Sequence, residues 1–115
     1  MLLTVIETPT FLKDVKRSGL VEKEHRALIN FLAENPKAGV VMEGTGGVRK
    51  LRFALPGRGK SGGVRVVYYY HDADIPLFAL ALFAKNERAN LSKAERNELR
   101  DTMPAIVKAY RERKP

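Results

Sequence analysis

The stretch Pro76-Leu77-Phe78-Ala79-Leu80-Ala81-Leu82-Phe83-Ala84 contains no polar side chain. A run of this length behind a proline reads as a strand buried on both faces, with a helix as the alternative. Such a strand needs a core around it. With 44% hydrophobic residues, a chain of 115 can build one core of modest size. The expectation is a single domain over residues 1–115, with no room for a separate catalytic domain.

The other elements can be placed around that strand. Leu2 to Ile6 reads as a short first strand, and Thr8-Pro9 marks a helix start, with an N-cap threonine and proline at the first helical position. This helix should run to Arg17 and stop at Ser18-Gly19. A second begins near Val21, carries Val21, His25, Leu28 and Leu32 on one stripe, and ends at Asn35-Pro36, so the two form a helical hairpin. Ala38 to Met42 is a possible short strand, and Gly44-Thr45-Gly46-Gly47 turns the chain into a strand from Val48 to Leu55. Another strand covers Val64 to Tyr70. Ser92-Lys93-Ala94-Glu95 matches a capping box, so a last helix starts at Lys93 with Leu99, Met103, Ile106 and Tyr110 as its apolar stripe. Pro104 should break or kink it. The predicted class is α+β: an N-terminal strand and helical hairpin packed on a small antiparallel sheet of three to four further strands, with a C-terminal helix.

Twenty-one Lys and Arg against thirteen Asp and Glu give a net charge of +8, which points to an anionic partner, nucleic acid first and an acidic protein second. The absence of cysteine excludes disulfides, thiolate metal sites and cysteine nucleophiles. His25 and His71 are too few and too scattered for a zinc site. The first residues, MLLTVIETPTFLK, do not read as a signal peptide, and no apolar run reaches the ~18 residues of a membrane span. A soluble cytoplasmic protein is expected.

Gly59-Lys60-Ser61 has the ending of a nucleotide-binding P-loop. The pattern needs a glycine where Ala54 stands and a helix where Val64 to Tyr70 reads as a strand, so the segment is better taken as a basic, glycine-rich loop between strands. In the strand before it, alternation groups Lys50 and Arg52 with Val48 on one face and Leu51 with Phe53 on the other. The apolar pair should face the core. Arg65 opens the next strand, while Lys85, Asn86 and Arg88 follow the buried one. If these strands are neighbours, their cations converge beside Arg58 and Lys60 on a surface suited to phosphate. The alternative is that they keep a sheet edge soluble. Of Tyr68, Tyr69 and Tyr70, at least one should be core and one should face the groove.

The combination of Gly46-Gly47-Val48-Arg49-Lys50-Leu51-Arg52, the loop from Gly57 to Gly63, Arg65-Val66-Val67-Tyr68 and Phe83-Ala84-Lys85-Asn86-Glu87 resembles the HigB branch of the RelE/ParE toxin superfamily. The likeness extends over almost the whole chain. It implies a bacterial type II toxin held inactive by a cognate antitoxin, HigA-like and carrying a DNA-binding helix-turn-helix. It also implies cleavage of messenger RNA in the ribosomal A site without a metal or other cofactor. Lys50 then corresponds to a catalytic strand lysine, Arg52 to a basic residue two further on, and Arg65 to the arginine that begins the next strand. Val48 departs from the lysine of RelE itself, Asn86 stands near its later arginine, and no tyrosine lies between Lys85 and Leu99 where RelE has its catalytic one. Lys85 and Arg88 are the candidate replacements.

A metal-free ribonuclease can use the RNA 2′-hydroxyl as its nucleophile, and the protein must then move two protons and stabilise charge on phosphate oxygens. Arginine suits the last task alone, because it stays protonated and grips phosphate with a fork. The resulting assignment makes Lys50 the general base or charge stabiliser, Arg65 and Arg52 phosphate clamps, and Lys85 an auxiliary acid or clamp. Arg58, Lys60 and Arg88 would contact RNA. A ParE-like inhibitor of DNA gyrase and a non-enzymatic nucleic-acid-binding module remain as rivals, since fold alone does not choose among them.

Overall fold

A computed structural model describes residues 3–55, 63–84 and 90–113. The element order is β1 (Val5–Glu7), α1 (Pro9–Arg17), α2 (Glu22–Glu34), β2 (Val40–Val41), β3 (Val48–Phe53), β4 (Val64–Tyr69), β5 (Leu77–Ala84) and α3 (Lys93–Arg113). This is the expected α+β order. The strands form one five-stranded sheet in the order β1-β5-β4-β3-β2, antiparallel from β2 to β5, with β1 added parallel to β5. A return from β1 to β5 through two helices and a meander makes that last pairing parallel.

The apolar run became β5, and it is covered on both faces as its composition requires. Leu77, Ala79 and Leu82 join Phe11, Leu28, Leu32 and Tyr68 in a core beneath α1 and α2. Phe78 and Phe83 point the other way, into a second core with Val48, Val67, Tyr69, Met103 and Val107 under α3. The spacing within each set breaks strict alternation. Val67 pairs with Ala81 and Tyr68 with Ala79, so Leu80 is an extra residue, a β-bulge that resets the pleat midway along the strand.

Thr8 secures the place where β1 ends. Its hydroxyl accepts the amide of Phe11 at 3.2 Å, capping α1, and donates to the carbonyl of Ala79 at 3.0 Å beside the bulge. Beyond β1, α1 serves the free edge of β5 with side chains: Asp14 Oδ2 accepts the Leu82 amide at 3.0 Å, and Arg17 donates to the Leu82 carbonyl at 3.2 Å. Strand edges left bare invite unwanted pairing, and this one is closed.

Helix α3 is not broken at its proline. It runs without interruption through Pro104 for 21 residues. Proline removes one helical hydrogen bond, but Met103 and Val107 on either side are buried in the second core and hold both halves against the sheet. Near its end, Arg111 reaches Asp72 in the β4–β5 turn at 2.6 Å. The Asp72 carboxyl lies below its usual value, first because it accepts the amide of Asp74, then through His71 and Arg111.

Two predictions test this packing. A Cβ built on Gly39 would sit 2.8 Å from the Tyr68 ring and 3.0 Å from the Lys50 carbonyl. Tyr68 cannot yield, since its hydroxyl accepts from the Gly39 amide at 2.7 Å and donates to the Pro36 carbonyl at 2.9 Å. Gly39→Ala should therefore lower unfolding stability in urea by about 1–3 kcal/mol. A group with a depressed folded pKa contributes stability above its unfolded value and loses it as pH falls through the folded one. Asp72→Asn should accordingly flatten the fall in stability between pH 5 and pH 2, followed by thermal unfolding.

Candidate nucleic-acid interface

Strand β3 carries Arg49, Lys50 and Arg52, and the pleat sends them to different sides. Arg49 turns toward the α2 side, where it donates to the Gly39 carbonyl at 2.8 Å and the Lys37 carbonyl at 3.3 Å, so it is a structural cation. Lys50 and Arg52 turn with Val48 toward the face that carries α3, as alternation predicted.

The register between strands then sets the surface. Arg52 lies directly opposite Arg65, and Lys50 lies opposite Val67. The same rows continue onto β5, with Arg65 beside Phe83 and Val67 beside Ala81. No acidic residue occurs in β3, β4 or β5. Like charges placed directly across two strands repel. Arg52 is exposed, and Lys50 and Arg65 are half-buried, so these strands present three cations at one end of the sheet and carry no acidic residue themselves.

Four predicted contributors, Arg58, Lys60, Lys85 and Arg88, fall outside the described residues. Among the described residues, Phe53, Val64 and Ala84 stand side by side at that end of the sheet. For the P-loop question the flanks suffice: β3 and β4 are antiparallel partners, with a strand and not a helix after the glycine-rich segment.

Two features correct or extend the sequence reading. Tyr68 and Tyr69 are both core residues, 0% and 7% exposed, and Tyr70 packs half-buried against the first core, so the expected core tyrosine is present and the one expected to face the groove is not. Burial raises both phenol pKa values, opposed at Tyr68 by the Gly39 amide and Arg49, and reinforced at Tyr69 by Asp72. The second feature is Asn90, whose side-chain oxygen accepts from the Lys50 ammonium at 3.4 Å and from the Leu91 amide at 3.1 Å. It ties the lysine to the start of α3. An asparagine ahead of a capping box gives no hint of this in sequence. His25, by contrast, is a structural residue that hydrogen-bonds Glu7 across α2 and β1. Among the described residues no group of acidic, histidine or cysteine side chains could hold a metal ion, and no helix is long and apolar enough to cross a membrane.

Comparison with known proteins follows the same lines. The model of a family described as the RelE toxin of the RelE/RelB toxin–antitoxin system matches residues 5–114. The chain belongs to the RelE toxin family. Its fold is similar to that of a free-state mutant of the E. coli toxin RelE with two arginines replaced by alanine, at TM-score 0.50 and 19% identity, covering 93% of this chain and 99% of that one. The RelE membership makes the chain a toxin of a toxin–antitoxin system with a cognate antitoxin as partner.

The juxtaposed arginines yield a test that does not depend on any activity. Arg52→Gln removes one of two facing cations, so unfolding stability at low salt should stay level or rise by about 0.2–1 kcal/mol. The gain should shrink at ~1 M salt, where screening acts over about 3 Å. A loss above about 1 kcal/mol in urea titrations would mean that Arg52 holds the fold and is not reserved for a ligand.

Proposed function

We propose that this RelE-family toxin is a ribosome-dependent endoribonuclease that cleaves messenger RNA through its own 2′-hydroxyl. The observation that carries the reading is the Arg52–Arg65 pair, set opposite one another with Lys50 on the adjoining row and no acidic residue on these strands. Facing guanidiniums cost stability unless an anion sits on them, and a phosphodiester is an anion that their forked N–H groups can grip with paired hydrogen bonds. The family supports ribosome-dependent cleavage at a general level.

In the proposed reaction the 2′-oxygen attacks the adjacent phosphorus while the bond to the 5′-oxygen of the next nucleotide breaks. The products are a 2′,3′-cyclic phosphate and a free 5′-hydroxyl. Arg52 and Arg65 stabilise the charge that builds on the non-bridging oxygens. Lys50 takes the proton of the 2′-hydroxyl or adds to that stabilisation, with Asn90 holding its side chain toward α3. Lys85 remains the candidate for the leaving-group proton, and Arg58, Lys60 and Arg88 for contacts to flanking phosphates. The ribosome supplies alignment, which can be worth ~7–11 kcal/mol to a reaction of this kind.

Single-turnover cleavage of a message on stalled ribosomes separates the roles. If Lys50 is the base, Lys50→Arg should fall by about 10²–10⁴, close to Lys50→Ala, and lose one limb of its pH–rate profile. Arg65→Lys keeps the charge and loses the fork, so it should retain partial activity with the profile unchanged. Near wild-type cleavage by Lys50→Arg would make Lys50 a clamp. Uncut messages together with damaged DNA in expressing cells would replace the proposal with the gyrase reading.

A further inference from the structure

Beside the cationic rows, on the same face of the sheet, lies a cleft of about 390 Å³ between α1, the bulge of β5 and α3. Ligand pockets span roughly 300–1,000 Å³. Its floor is apolar, from Val67, Leu80 and Ala81 below and Leu91, Leu99 and Ile106 above, and its rim carries Asp14, Glu95 and Glu98. The bulge makes the floor, because the extra residue turns both Leu80 and Ala81, half-buried, to the α3 side where a regular strand would send them to opposite faces.

Two contacts join the cleft to the cations. Val67, on its floor, is the cross-strand partner of Lys50 and stands two residues from Arg65, roughly 7 Å along the strand. Leu91, in its wall, follows the Asn90 that accepts from Lys50. A phosphate on Arg52 and Arg65 therefore leaves its nucleoside at the mouth of this cleft. The rim carboxylates repel a second phosphate and would attract groups rich in N–H donors. Two of the three are already committed: Asp14 accepts from Leu82 and Arg17, and Glu95 accepts the Ser92 amide. Glu98 is exposed, and its carboxylate has no hydrogen-bond partner among the described residues.

We propose that this cleft receives the base next to the phosphate held by Arg52 and Arg65, and that Glu98 selects bases bearing an amino group over uracil. The inference rests on the phosphate-binding role given to those arginines. An apolar slot sandwiches a base extruded from its stack, and a carboxylate accepts from the amino groups of cytosine, adenine or guanine. Uracil offers a single N–H flanked by two carbonyl oxygens, which a carboxylate repels.

The test titrates the full chain with cytidine and uridine monophosphates while following methyl resonances of Leu80, Leu91, Leu99 and Ile106. CMP should shift these methyls and bind about tenfold more tightly than UMP. Glu98→Gln, at an exposed position, should bring the two affinities to within about twofold, since a carboxamide donates as well as accepts. Equal affinities in the unaltered chain overturn the proposal, as do shifts confined to the Arg52–Arg65 end of the sheet or cleft methyls that nucleotides leave still. Displacement of those methyls by a basic antitoxin segment, with none from nucleotides, assigns the cleft to the partner and overturns it as well. The two readings fail separately. A chain that prefers CMP but cuts no message loses the nuclease assignment and keeps the base site. One that cuts messages with the same base distribution after Glu98→Gln loses the base site alone.

Discussion

Strands without polar side chains must be covered on both faces, and in this molecule β5 imposes that condition on everything else. The α1–α2 hairpin takes one face and α3 the other. Helix cover lies over β5 and the adjoining half of β4, and among the described residues Lys50, Arg52 and Arg65, on β3 and at the start of β4, stay exposed or half-buried. Arg52 and Arg65 sit there in register. The charged surface is thus built on paired strands beside the buried core, which suits the phosphate-holding role proposed for it.

The elements with strong local chemistry were legible in the sequence. Thr8-Pro9 begins α1, and Ser92 with Glu95 forms a reciprocal cap at the start of α3, at 2.8 and 3.1 Å. Alternation in Val48 to Phe53 separated Lys50 and Arg52 from Leu51 and Phe53, and the structure keeps that division. What could not be read depends on partners far along the chain. The β5 bulge is a mismatch of register against β4, so no pattern within Leu77 to Ala84 announces it. The cleft arises where that bulge meets α1 and α3, helices from opposite ends of the sequence. The unbroken course of α3 through Pro104 has a related cause: propensity describes an isolated helix, whereas this one is held by buried contacts on both sides of the proline.

The buried tyrosines narrow the chemistry available to the cation face. With Tyr68 engaged by Pro36 and Gly39, and Tyr69 beneath α3, neither phenol is presented to the proposed phosphate site, where Lys50 stands beside the two arginines. Stabilisation of charge by fixed arginines needs no proton movement and loses little when the geometry is supplied from outside. A protein with this division of labour gains most from a scaffold that presents an aligned 2′-hydroxyl, which is the physical content of the proposed dependence on the ribosome.

Strand β4 links the two proposed parts of the site. Arg65 and Val67 lie two residues apart on one face, the first toward phosphate and the second forming the floor of the cleft. Any base that enters the cleft is therefore positioned relative to the phosphate by the fixed repeat of a single strand, without intervening loops. Binding a disfavoured base would pull its phosphate away from the arginines, or leave the cleft empty with the phosphate in place. Selectivity in such an arrangement appears in the rate of cleavage as well as in the strength of binding, because only the base that fills the cleft and keeps its phosphate on Arg52 and Arg65 reaches the transition state with both interactions intact.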